Sequence, residues 1–93
     1  MPAKILIVDD EPEQISAFAR SLKQEGYETL LAKDDLEAWY LFDNFQPDLL
    51  VLDIRFGYNQ RMGLDILKKI RAKDNAVPII MLTGLSDEGL DLL

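Results

Sequence analysis

The run "KILIVDD", residues 4–10, sets four apolar residues directly against two carboxylates. Ile5-Leu6-Ile7-Val8 contains no polar position, so an extended segment here needs protein on both of its faces. Two further runs repeat the arrangement. Leu49-Leu50-Val51-Leu52 is followed by Asp53, and Ile79-Ile80-Met81-Leu82 is followed by Thr83. A weaker strand fits Glu28–Ala32.

Helical periodicity fills the intervals. Ile15, Phe18, Ala19 and Leu22 recur at i, i+3, i+4 and i+7, with Pro12 suited to the first turn and Gly26 to the stop. Ala38, Leu41, Phe42 and Phe45 recur likewise behind Asp34 and Glu37, which stand at capping-box spacing. Gly63, Ile66, Leu67 and Ile70 form a third stripe, with Lys68, Lys69 and Arg71 towards the carboxyl end, where the helix dipole favours cations. Ser86-Asp87-Glu88 reads as the start of a fourth helix. Strand and helix thus alternate, and strands buried on both faces imply an α/β fold: a parallel sheet with right-handed crossovers.

Ninety-three residues make one domain, with no linker, low-complexity tract or repeat. Seventeen acids against ten bases leave a formal charge of −7, which argues against nucleic-acid binding by this segment. Cysteine and histidine are both absent, so disulfides, thiolate zinc sites and imidazole bases are excluded. The apolar run near the start is too short for a signal peptide or a membrane span, and the expected compartment is the cytoplasm.

Any chemistry must therefore use carboxylates, hydroxyls and backbone oxygens. Asp9, Asp10, Asp53 and Thr83 all fall at carboxyl ends of strands, where open α/β sheets gather their functional groups. Taken singly, a strand-end Asp is most often a cap or a turn former. If the first and third strands are neighbours, however, three carboxylates converge, and their repulsion demands a cation or raised pKa values. An all-oxygen donor set suits Mg²⁺ or another divalent cation, with Asp10 ligating directly and Asp9 through water. A carboxylate beside such a cation can act as a nucleophile towards phosphorus, and the Thr83 hydroxyl, followed by the small Gly84, can donate to a phosphoryl oxygen.

The segments "ILIVDDE" (5–11), "PDLLVLDI" (47–54) and "PIIMLTG" (78–84) together resemble the receiver domain of two-component response regulators, the CheY-like superfamily. The resemblance covers essentially the whole chain. It implies a flavodoxin-like, doubly wound parallel sheet with strand order 2-1-3-4. It also implies Asp53 as phosphoacceptor, Asp9 and Asp10 as the acidic pair serving Mg²⁺, and the Arg55 main-chain carbonyl as a further ligand. Thr83 would be the hydroxyl that moves onto the phosphoryl group, with Gly84 beside it. The implied donor is a sensor histidine kinase or a phosphotransfer protein, and phosphorylation would shift a pre-existing equilibrium of the output surface.

Two departures from the family stand out. The last residue falls inside the expected fourth helix, so the domain at 1–93 is expected to lack the fifth strand, the fifth helix and the active-site lysine they carry. Lys4 begins a strand, and Lys23, Lys68, Lys69 and Lys73 fit solvated helix faces, so none is assigned that role. Arg55 and Arg61, read as loop residues after Asp53, are the nearest substitutes. The fourth strand then becomes an apolar edge, to be covered by the rest of a longer protein, a homodimer or a swapped segment. The second departure is "RFGYNQRMG" (55–63), a longer loop than usual that lacks the frequent Met-Pro.

Three function classes compete. The first is a phosphoryl-accepting signalling switch, itself not an enzyme in the ordinary sense. The second is an interaction module on a receiver fold that works without phosphorylation. An aspartate-based phosphatase is the third, but "VDDEP" lacks the Asp-x-Asp spacing of its nucleophile. A dinucleotide site is excluded because no glycine-rich turn follows the first strand.

Overall fold

The computed structural model describes residues 2–9, 12–53, 61–74 and 76–82. Its elements are β1 (Lys4–Val8), α1 (Pro12–Gln24), β2 (Glu28–Ala32), α2 (Asp35–Phe45), β3 (Leu49–Asp53), α3 (Arg61–Lys73) and β4 (Ile79–Leu82). The four strands form one parallel sheet in the order β2-β1-β3-β4. That is the order expected from the family resemblance. The expected fourth helix at Ser86–Glu88 lies outside the described residues.

Alternation along the strands divides the core into two layers. Leu6, Val8, Leu50 and Leu52 face α2 and α3, packing with Ala38, Phe42, Ile66 and Ile70. Ile5, Ile7 and Val51 face the other way, onto Ile15 and Ala19 of α1. Every residue from Ile5 to Val8 is buried, which is why the run carries no polar position. β4 behaves differently. It is the edge of the sheet among the described residues, and Ile80 is 49% exposed, so the run at 79–82 is not buried on both faces.

Helix ends follow local chemistry. Asp34 caps α2, its Oδ1 accepting from the Glu37 N–H at 2.8 Å. Glu37 reaches back one residue further than the standard box, its Oε1 accepting from the Lys33 N–H at 2.9 Å. α1 closes with a Schellman pattern: the Gly26 N–H donates to Lys23 O (3.0 Å) and the Tyr27 N–H to Leu22 O (3.1 Å). Gly26 holds φ at +99°, a conformation that suits glycine. At the end of α3, Asp74 Oδ1 accepts from the N–H groups of Ala76 and Val77, and Arg71 Nη1 donates to Val77 O at 2.7 Å. These bonds fold the chain directly back into β4.

Two residues expected on apolar stripes lie towards solvent. Phe18 is three positions from Ile15, about 60° off the line through Ile15, Ala19 and Leu22, and it remains 44% exposed. Phe45 ends α2 and is also partly exposed, its carbonyl accepting from Lys4 Nζ at 3.2 Å. Arg61, expected in the loop after Asp53, instead heads α3, which begins two residues before Gly63.

Two substitutions test these assignments. Gly26→Ala is expected to lower stability by about 1 kcal/mol through backbone strain alone, since a Cβ there would meet no atom within 4 Å. Thr29 on β2 is buried and its Oγ1 has no hydrogen-bond partner among the described residues. Thr29→Val is therefore expected to be neutral or stabilising by up to about 1 kcal/mol. Urea titration of each variant checks both.

Candidate functional site

The register of the central strands assembles the site. Val8 of β1 lies opposite Leu52 of β3, and each is followed by an aspartate, Asp9 and Asp53. Adjacent strands lie about 4.8 Å apart, so these two residues occupy neighbouring positions at the carboxyl ends of the two central strands. Asp53 is also the last paired residue of β3, opposite Leu82 of β4. Thr83 follows Leu82 in the chain.

Asp9 is held firmly. Its backbone N–H donates to Ala32 O at 2.9 Å, continuing the β1–β2 ladder one residue past the strand. Its side chain is buried, with the residue only 5% exposed. A buried carboxylate is costly unless something compensates its charge, so an acid at this point is under stronger physical constraint than an ordinary turn former. Aspartates at strand ends offer oxygen donors only, the chemistry that suits Mg²⁺, Mn²⁺ or Ca²⁺, and among the described residues no group of three or more such side chains is assembled to hold a metal ion. Asp10, Arg55, Thr83 and Gly84 lie outside the described residues, as does the loop at 54–60.

The lysines expected on solvated surfaces are there. Lys23, Lys68, Lys69 and Lys73 are exposed, and Lys4 opens β1 with its backbone N–H donating to Asp48 Oδ2 at 2.8 Å. Lys33 belongs to no motif of the sequence. It directly follows Ala32, whose carbonyl binds the Asp9 N–H, so it is an exposed cation at the same end of the sheet as the aspartates. Two strand spacings, about 10 Å, separate its strand from β3, which puts it on the Asp9 side of the site. Its position after β2 is legible in the sequence; its relevance depends on β2 lying beside β1.

Comparison with known proteins agrees with this fold. The family model described as "Response regulator receiver domain" matches residues 5–91. The chain is 37% identical over 84 residues to response regulator MprA of Mycobacterium sp. (strain KMS), covering 90% of this chain and 36% of that protein. It is 34% identical over 88 residues to the alkaline phosphatase synthesis transcriptional regulatory protein PhoP of Bacillus subtilis (strain 168), covering 95% of this chain and 36% of PhoP. Among solved structures, the non-phosphorylated HemR receiver domain from Leptospira biflexa superposes with a TM-score of 0.79 at 30% identity. That match covers 89% of this chain and 65% of HemR's. The chain spans about a third of the length of these two regulators.

Proposed function

The chain belongs to the response regulator receiver family, and from that premise we propose that it is a phosphoryl-accepting switch of a two-component system, with Asp53 as the acceptor. The observation that carries this reading is the register that sets Asp53 beside Asp9 at the carboxyl ends of β3 and β1. A carboxylate oxygen of Asp53 attacks the phosphorus of a phosphohistidine on a sensor kinase or phosphotransfer protein. The P–N bond breaks as the acyl phosphate O–P bond forms, and the donor imidazole leaves with the electron pair. Pairing with β4 fixes the backbone of Asp53 at the strand end, so part of the ordering precedes the reaction.

Asp9, Asp10, the Asp53 carboxylate and the Arg55 main-chain carbonyl are the groups assigned to a divalent cation, Mg²⁺ by donor chemistry. When bound, that ion offsets the negative charge of acceptor and donor. Thr83 is assigned to a phosphoryl oxygen, with Gly84 leaving room beside it. Lys33 adds positive potential from the β2 side.

We assign the 93 residues to a receiver unit whose remaining part docks along β4, in cis or from a second copy; the half-exposed Ile80 supports that edge as the docking line. No described helix is long and apolar enough to cross a membrane. We place the domain in the cytoplasm and assign it no direct contact with nucleic acid, in keeping with its charge of −7.

Incubation with acetyl phosphate and Mg²⁺, followed by intact-mass measurement, is expected to show addition of one phosphoryl group. Asp53→Asn or prior EDTA should abolish the gain. A phosphorylated Asp53→Asn protein would move the acceptor elsewhere. A chain that is never phosphorylated, and whose partner binding the Asp53→Asn change leaves intact, would instead identify a module that works without phosphate. Lys33→Ala is expected to slow phosphorylation only severalfold, by weakening a screened attraction at a distance.

A further inference from the structure

Half of the chain's aromatic residues lie on α2, the segment "DLEAWYLFDNF". Of these four, only Phe42 is buried. Leu36 is 75% exposed and Tyr40 62% exposed. Trp39 is half-buried, packing its inner side against the core. Leu36, Trp39 and Tyr40 stand at i, i+3 and i+4, so they form one face of the helix. Packing within the fold accounts for Phe42 and part of Trp39 but leaves Leu36 and Tyr40 unexplained.

Contacts with α3 define the rest of this surface. Lys69 Nζ sits 5.3 Å from the centroid of the Trp39 ring, and one turn further along Lys73 Nζ pairs with Asp43 Oδ1 at 2.6 Å. Contacts at 39–69 and 43–73 require α2 and α3 to run side by side in the same direction. Beyond this pair, an open cavity of about 510 Å³ lies between the carboxyl ends of the two helices, with Pro47 and Asp74 on its wall.

Charge along this surface is segregated. Asp35 and the exposed Asp65 lie in the amino halves of the two helices, while Lys69 and Lys73 lie in the carboxyl half of α3. Asp43 is the exception, and Lys73 already neutralises it. With Glu37 and Arg71 included, the charges of residues 35–43 and 65–73 sum to zero, in a chain whose total is −7. Apolar side chains along α2 from Leu36 to Tyr40, with acids towards the amino ends of the two helices and lysines towards the carboxyl end of α3, make a surface complementary to itself when turned end for end.

We propose that the outer face of α2 and α3 is a self-association surface on which a second copy of this chain docks about a two-fold axis, with its helices antiparallel to those of the first. Leu36, Trp39 and Tyr40 meet their equivalents at the centre. The acid-bearing amino half of each copy faces the lysine-bearing half of the other, and the helix dipoles oppose one another. Helices about 16–20 Å long and 8–10 Å apart bury about 500 Å² per copy, at the low end for specific interfaces. The dimer is therefore weak and concentration-dependent. This face is distinct from the β4 edge, which carries Ile80.

Sedimentation velocity of the chain over a range of concentrations tests the proposal, with circular dichroism confirming the fold of each variant. The wild type is expected to dimerise reversibly, and Leu36→Ser combined with Tyr40→Ser to weaken association by about tenfold or more. Asp35→Lys and Lys69→Glu should each weaken it alone. Mixing these two variants should restore a heterodimer, because both cross-interface pairs then become attractive. A wild type that stays monomeric up to about 1 mM would overturn the proposal. So would a dimer that survives the Leu36/Tyr40 change, one abolished instead by Ile80→Lys, or single-charge variants that fail to recombine on mixing.

Discussion

The structure depends on the central position of β1. With β2 on one side and β3 on the other, β1 has no free edge, and helices cover both of its faces. Burial on both faces gives the strand its hydrophobic stabilisation but removes the usual determinant of register. In a half-buried strand, a slip by one residue drives polar side chains into the core. In β1 such a slip would exchange Ile5 and Ile7 for Leu6 and Val8, apolar for apolar. Register must then come from the polar residues at its two ends. At the amino end, the Lys4 N–H donates to Asp48 Oδ2 while the Asp48 N–H donates to Lys4 O at 2.8 Å. At the carboxyl end, the Asp9 N–H closes onto Ala32 O.

The geometry of the candidate site is a direct consequence. Because Val8 pairs with Leu52, the residues that follow them are brought level, and both are aspartates. A shift of one position would offset the two aspartates along the strand axis by about 3.3 Å and dissolve the candidate site. The polar clamps at the ends of β1 thus position the site as well as the strand. Asp9, buried at the end of this clamped strand, is a carboxylate whose charge depends closely on its surroundings, and on the proposed reading a cation and a phosphoryl group on Asp53 both act on that charge balance.

The helices divide between burial and display. α3 buries Ile66 and Ile70 and exposes Lys68, Lys69 and Lys73, a division its sequence states plainly. α2 does not separate so cleanly. Its buried side is built from Ala38 and Phe42, and its outer side carries Leu36 and Tyr40. Periodicity alone places apolar residues nearly all round this helix, and only the position of the sheet shows which are surplus to the core. Phe18 on α1 is the milder case: it belongs to the apolar stripe but lies at its margin, and one helix over a twisted sheet contacts only the centre of the stripe.

By itself the sequence determined the alternation of strand and helix, the four strand positions, the strand-end aspartates and the family. These are properties of local pattern: an apolar run that must be buried on both faces, a period of 3.6, an Asp34–Glu37 cap, a glycine at a left-handed stop. The tertiary structure decided what depends on which elements are neighbours. It set Asp9 level with Asp53, brought Lys33 to the Asp9 side of the site, moved Arg61 from an expected loop into α3, and left Ile80, Leu36 and Tyr40 facing outward. Each of these is a matter of register or of layer. Two residues far apart in the chain acquire a relation only when a ladder or a packed helix pair fixes the distance between them, and no local pattern records that distance.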